Sequence, residues 1–244
     1  MTAPAREGLR KTEKLREIAR RGAELLDGGG LDEADPAALL AWTVEQFGDG
    51  FIVASNMQDA VLVDLAARAK PGVDVLFLET GYHFAETLGT RDAVVSTYDV
   101  NLVEAKAEAS VAEQDATEGA DLFARDPVRC CHLRKVVPLK GTLSGYDAWV
   151  TGIRRVESPT RAQAPAISFD EGFGLVKINP IVAWDDDRFQ QYIDDRGVLV
   201  NPLVFDGYPS IGCAPCTAKP LPGSDPRSGR WAGSTKTECG LHSS

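Results

Sequence analysis

The sequence predicts an α/β fold, a parallel sheet with helices on both faces. Two observations carry this. Short apolar, partly β-branched runs recur along the chain and alternate with stretches of helical periodicity, the mark of strand–helix–strand units. In addition, 244 residues that are 43% hydrophobic and 25% charged suffice for a sizeable core of ordinary globular composition.

The elements follow in order. Residues 6–26 place Leu9, Leu15, Ile18, Ala19 and Leu25 at roughly helical spacing among Arg, Lys and Glu. This reads as an exposed amphipathic helix that turns at Gly28-Gly29-Gly30. A second helix spans 37–47 and stops before Gly48-Asp49-Gly50. Phe51–Ala54 reads as a buried strand and 55–58 as a polar turn. Asp59 is the expected N-cap of a helix carrying Val61, Leu62, Leu65 and Ala66, which ends before Pro71-Gly72. Residues 73–78 form the next strand, ended by Glu79-Thr80-Gly81. Further strands are expected at 98–103, 148–152 and Leu175–Ile178, with helices around 84–95, 109–115, 131–143 and 185–196. Asp185-Asp186-Asp187 caps and charges the last of these helices, and Trp149 and Trp184 read as core or sheet-edge packing. From 220 to 235 Pro, Gly and Ser dominate, a composition that favours a mobile loop. The expected division is an N-terminal helical extension (1–30), an α/β domain (31–219) and a flexible C-terminal tail (220–244).

Charge and composition exclude several functions. A net charge of −10 argues against sequence-blind binding to nucleic acid or anionic membrane. No apolar run approaches the length of a membrane span, and the charged start, with Glu7, Glu13 and Glu17, fits neither a signal nor a transit peptide. A cytoplasmic location is expected. Disulfides are rare there, so the five cysteines call for another explanation.

Four of them fall into two close pairs, Cys130-Cys131 and Cys213-Ala214-Pro215-Cys216. A Cys-x-x-Cys turns two thiolates toward one site, and a second pair can complete a four-thiolate metal set. Adjacent cysteines fit one tetrahedral zinc poorly and suit a polynuclear iron–sulfur cluster, where each thiolate takes its own iron. The plain alternative is four buried free thiols. Cys239, 23 residues beyond Cys216, lies between Lys236 and His242, which can lower a thiol pKa and favour the nucleophilic thiolate. The competing reading is an incidental thiol near the terminus.

Positive charge is concentrated at 127–161, where Arg129, Arg134, Lys135, Lys140, Arg154, Arg155 and Arg161 face only Asp147 and Glu157. Such a segment suits an anionic cluster or substrate, or else is an ordinary solvated face. Arg227 and Arg230, in the glycine-rich tail, read as a lid that closes on an anion. The turn at 55–59 could offer backbone N–H groups to a phosphate, although it has no glycine pair. His83 and His132 have no matching partner and receive no catalytic role.

With these residues in view, the chain resembles the assimilatory adenylyl-sulfate reductases, relatives of the phosphoadenylyl-sulfate reductases. The resemblance rests on Leu78-Glu79-Thr80-Gly81-Tyr82-His83-Phe84, Cys130-Cys131-His132-Leu133-Arg134-Lys135 and Thr151-Gly152-Ile153-Arg154-Arg155. It continues through Gly207-Tyr208-Pro209-Ser210-Ile211-Gly212-Cys213-Ala214-Pro215-Cys216, Ser228-Gly229-Arg230-Trp231 and Glu238-Cys239-Gly240-Leu241-His242.

The family implies a Rossmann-like sheet of the adenine-nucleotide α-hydrolase (PP-loop) type. It also implies one 4Fe–4S cluster per subunit on Cys130, Cys131, Cys213 and Cys216. Members with both cysteine pairs take adenosine 5′-phosphosulfate; members without them take its 3′-phosphorylated form. In the implied reaction Cys239 attacks sulfur, expels AMP and becomes S-sulfonated, and thioredoxin or a similar dithiol then releases sulfite. Substrate contacts are expected from Ser55, Thr80, Gly81, Lys135, Arg161, Arg227, Arg230 and His242. A homo-oligomer is compatible with all of this. Rival readings are a 3′-phosphoadenylyl-sulfate reductase, a PP-loop iron–sulfur thiolation enzyme, and a non-enzymatic iron–sulfur or zinc sensor.

Overall fold

The structure is a computed structural model that describes residues 3–231. Cys239 and His242, with the rest of the chain beyond Trp231, lie outside the described residues.

The chain opens with helix α1 (Ala3–Asp27) and helix α2 (Pro36–Phe47), the latter capped by Asp35, whose carboxylate accepts from the N–H groups of Ala37 and Ala38. Strand β1 (Phe51–Ala54) leads through helix α3 (Val61–Ala69) to β2 (Val73–Glu79), and helix α4 (Ala85–Thr97) leads on to β3 (Val100–Lys106). A run of short helices follows: α5 (Val111–Glu118), α6 (Leu122–Arg125), α7 (Pro127–Cys131), a π-helical turn at His132–Val136, and α8 (Val137–Leu143). The chain then re-enters the sheet as β4 (Ala148–Val150), forms β5 (Ile167–Asp170) and β6 (Leu175–Ile178), and closes with helices α9 (Asp186–Arg196) and α10 (Pro202–Phe205).

The strand order is β3-β2-β1-β4-β6-β5. All neighbours are parallel except β5, which runs antiparallel to β6 with Ile167 opposite Ile178. Burial explains the strand sequences: Phe51, Ile52 and Val53 are at most 2% exposed, and Ala148, Trp149 and Val150 at most 1%, so both strands read as continuous apolar runs. From β1 the chain winds outward to β2 and β3, then returns across to β4 on the other side of β1. That reversal opens a crevice at the carboxyl ends of β1 and β4, where ligands bind in open α/β sheets.

Several expectations needed adjustment. Strand β5 was not anticipated, because its sequence, Ile-Ser-Phe-Asp, is half polar and only one of its residues is fully buried. β3 runs later than expected: its charged end is held in the edge strand by Glu104, which pairs with both Lys106 and Arg91. Asp59 sits one place outside the cap position: Ala60 is the N-cap, while Asp59 Oδ1 accepts from Val61 N at 3.1 Å. The expected helix at 131–143 begins earlier and contains the π turn, where Val137 N bonds to His132 O. Pro138 has no N–H to donate and crowds the preceding turn, which a wider turn accommodates.

Helix α1 is less exposed than its charge suggests. Leu15 and Ala19 belong to the main core, and Arg16 lies 4.5 Å over the Phe169 ring while pairing with Glu171. Gly22 is the tightest point. A Cβ there would meet two Trp42 ring carbons at 2.9 Å and Ile167 Cδ1 at 3.0 Å. Gly22→Ala gains about 1 kcal/mol of helix propensity but overpacks at a cost of roughly 1–3 kcal/mol. The expected net result is destabilisation, read as a lower urea midpoint.

The segment after Cys216 contains no helix or strand through Trp231, in line with its composition, yet it is tied down. Ala218 N donates to Gly229 O at 2.8 Å, Trp231 N to Cys216 O at 3.0 Å, and Thr217 pairs with Arg230 as an isolated bridge. Trp231 is 5% exposed. Among the described residues no helix is long and apolar enough to cross a membrane.

Candidate active site

A cleft of about 800 Å³ occupies the switch point. Its floor is the turn after β1, its walls are the ends of β2 and β4, and segments 209–213 and 225–231 close over it. The tail thus brings Arg227 and Arg230 to the cleft.

The turn at 55–59 is more self-contained than a phosphate cradle. Met57 N donates to Ser55 Oγ at 3.2 Å and Gln58 N to Asn56 Oδ1 at 3.1 Å, so two of its amides are already engaged. Met57 adopts a left-handed conformation, φ 58°, which the Asn201 side chain supports by donating to Met57 O at 3.1 Å. The Gln58 side chain accepts from Ile211 N at 2.9 Å and thereby links the turn to the 209–213 segment.

Thr80 lines the cleft and Gly81 does not. Gly81 has φ 76°, and a Cβ there would strike Val111 Cγ2 at 2.9 Å and Arg134 Nη2 at 3.1 Å, so its glycine serves the turn and the packing of Arg134. Arg134 donates Nε to Thr80 O and Nη1 to Ala109 O, and stands 5.6 Å over the Tyr82 ring. Thr80 Oγ1 lies 3.3 Å from Cys213 Sγ, at the wall shared by cleft and cysteines.

Behind that wall Cys130, Cys131, Cys213 and Cys216 line one small cavity with Tyr82, Phe123, Pro127, Arg134 and Lys135. Cys130 and Cys131 come from the end of α7; Cys213 precedes and Cys216 ends a 3₁₀ turn that is held to the β2 loop by Ala214 N donating to Tyr82 O at 2.7 Å. All four are free thiols. Burial, and then the neighbouring Cys131, Cys213 and Cys216, push the Cys130 thiol up to about 11. Burial and Cys213 likewise raise Cys216. Cys130 and Cys216 so placed resist ionising unless a cation holds their thiolates. Lys135 is 9% exposed and lines both the cysteine cavity and the cleft.

The basic run disperses. Arg129 pairs with Glu118, Arg155 with Glu33 at 2.8 Å, Arg154 with Asp186 at 2.8 Å, and Arg161 with Glu157. Four members of the run are thus held in ion pairs, and Lys135, Arg154, Arg155 and Arg161 line the cleft. Arg230 donates to Ser210 Oγ at 3.2 Å and Ile211 O at 3.1 Å and crosses directly over Gly212, where any Cβ would collide with its guanidinium.

Two cleft residues have surroundings that the sequence does not reveal. His83 has a side chain 10% exposed, lies 4.7 Å from the Phe77 ring centre, and has Nε2 2.8 Å from Leu78 O. Burial lowers its pKa and keeps the ring neutral. Asp59 is partly covered by surface area, yet its carboxyl group is deep enough that desolvation raises its pKa to about 6. Its folded pKa therefore lies above its unfolded value near 3.9, so stability falls as pH rises from about 4 to 6 and stays reduced above. Asp59→Asn retains an acceptor for Val61 N. It is expected to be more stable than wild type by about 1–2 kcal/mol at pH 8 and equal to it at pH 3.5, read from urea midpoints.

Fold and cleft together define a Rossmann-like α/β protein with a switch-point ligand site and an adjoining nest of thiols. Residues 51–219 match the family described as phosphoadenosine phosphosulfate reductase domain. The chain is 69% identical over 240 residues to a protein named adenosine 5′-phosphosulfate reductase from Rhodococcus opacus (strain B4), covering 94% of this chain and 95% of that one. It is 60% identical over 248 residues to the protein of the same name from Mycobacterium tuberculosis (strain ATCC 25177 / H37Ra), covering 95% and 96%. Among solved structures it resembles phosphoadenylyl-sulfate reductase from Candida auris in its phosphate complex, with TM-score 0.68, 27% identity, and coverage of 80% of this chain and 96% of that one. The chain belongs to the phosphoadenosine phosphosulfate reductase family and is an oxidoreductase.

Proposed function

We propose that this chain reduces adenosine 5′-phosphosulfate to sulfite and AMP, within sulfate assimilation, with Cys239 as nucleophile and thioredoxin or a similar dithiol as reductant. The observation that carries the reading is the shared wall: Lys135 borders both the switch-point cleft and the four-cysteine cavity. Relatives named for this activity align over nearly the whole chain, which favours adenosine 5′-phosphosulfate over the 3′-phosphorylated alternative.

The four thiols fit a 4Fe–4S cluster. They converge on one buried cavity, and each can meet a different iron. When bound, such a cluster supplies a fixed charge distribution beside the substrate.

The chain's own residues then perform the chemistry. Lys135, Arg227 and Arg230 surround the phosphosulfate and offset its charge, with His242, the Ser55 and Thr80 hydroxyls and, further along the cleft, Arg161 adding contacts. The Cys239 thiolate attacks sulfur, the bond from sulfur to the bridging phosphate oxygen breaks, and AMP leaves with that electron pair. Thioredoxin's thiolate attacks Cys239 Sγ and sulfite departs with the S–S electron pair. The second thioredoxin thiol resolves the mixed disulfide. The test is sulfite release from each nucleotide with thioredoxin supplied. Efficient turnover of adenosine 5′-phosphosulfate is expected; turnover of only the 3′-phosphorylated compound, or of neither, would refute the assignment.

A further inference from the structure

In the proposed reaction the sulfur end of the substrate sits beside Lys135, on the β2 side of the cleft. The opposite end, under β4, has a different character. Asp59, Arg154, Glu157 and Arg161 all line it. Arg154 is 8% exposed; its Nη2 reaches Asp186 at 2.8 Å, its Nε stands 3.8 Å from Glu157 Oε1, and its guanidinium lies 4.3 Å over the Phe189 ring. Neither Nε nor Nη1 meets a hydrogen-bond acceptor among the described residues. Glu157 Oε2 accepts from Arg161 and from Arg154 N at 3.1 Å, and Glu157 and Arg154 both act on the Asp59 carboxyl.

Buried donors seldom remain without acceptors, so an acceptor on the ligand is their natural complement. The local charge decides which kind. The guanidinium groups of Arg154 and Arg161 are already matched by Glu157, Asp186 and Asp59, which leaves no positive surplus. A neutral hydroxyl fits, since it can accept from Arg154 and donate to Glu157 or Asp59. A phosphate dianion meets two carboxylates instead. Strands β2 and β4 are two spacings apart, roughly 10 Å, a span comparable to that between the sulfur and the 3′ position of a nucleoside 5′-phosphosulfate.

We propose that the cluster of Asp59, Arg154 and Glu157 reads the ribose hydroxyls and rejects a 3′-phosphate, making it the specificity determinant of the cleft. This rests on the cleft being the sulfonucleotide site. The test is calorimetric titration of the full chain, purified anaerobically, with AMP and with adenosine 3′,5′-bisphosphate. Wild type is expected to prefer AMP. Glu157→Gln should narrow that preference by about tenfold, chiefly through tighter bisphosphate binding. Asp59→Asn should narrow it in the same sense, and decides the matter should Glu157→Gln fail to fold. An unchanged preference in the folded variants, or no preference in wild type, overturns the specificity proposal and leaves the cleft assignment standing. A wild-type chain that binds neither nucleotide overturns the cleft assignment, and the proposal with it.

Discussion

Cys239→Ser is expected to abolish sulfite release, by roughly 10³-fold or more, while AMP binding and iron content stay at wild-type levels. The size follows from chemistry: a serine hydroxyl cannot replace a thiolate as nucleophile toward sulfur, and it cannot pass through a disulfide to discharge sulfite. Loss of a nucleophile typically removes nearly all of the catalytic advantage in one step. The other four cysteines are poorly placed to take over: Cys130, Cys131 and Cys216 line the small cavity and not the cleft, and Cys213, which borders both, is 7% exposed. Steady-state sulfite assays beside AMP titrations separate the two outcomes. Retained turnover would remove Cys239 from the reaction; lost AMP binding would make its role structural.

Lys135→Met should lower kcat/KM by about 10²–10³, or roughly 2.7–4 kcal/mol of transition-state stabilisation. Lys135 stands in the π turn between the Cys130-Cys131 pair and Pro138, so the local backbone aims it at the wall that cleft and cysteines share. At 9% exposure its ammonium acts in a less screened setting than a surface lysine, where a single charge has a correspondingly larger effect on an anion. If it stabilises the transferring sulfonate, the loss falls mainly on kcat and Lys135→Arg recovers only part. If it merely packs the π turn, the variant will lose stability with little change in kcat per folded molecule.

The sequence alone made much of this visible, for identifiable reasons. β1, β2, β4 and β6 are buried in a parallel sheet, so their apolar runs stand out. β5 is an edge strand whose partner is supplied by α1 and β6, and such context leaves no local trace. The four-residue helices α6 and α10 are too short to show a period. In the site, the cysteine pairs are conspicuous because two close pairs of thiols have a spacing that metal ligation would call for, and Arg227 and Arg230 stand out as charges in a glycine-rich loop. Arg154 and Arg155 are adjacent and of one type, yet Arg154 faces the Asp59 and Glu157 end of the cleft while Arg155 reaches back to Glu33 ahead of α2. Only the three-dimensional arrangement separates them. His83 was passed over for lack of a sequence partner; its partners are backbone groups of Leu78 and Thr80.

The central claim is that the chain carries the sulfonate covalently on its own cysteine. Incubating the anaerobically purified protein with radiolabelled adenosine 5′-phosphosulfate without reductant, then mapping the labelled peptide by mass, tests this directly. The account predicts a single sulfonate on Cys239 that thioredoxin discharges as sulfite. Label on any other residue, or none on an enzyme that turns over when thioredoxin is added, would contradict it.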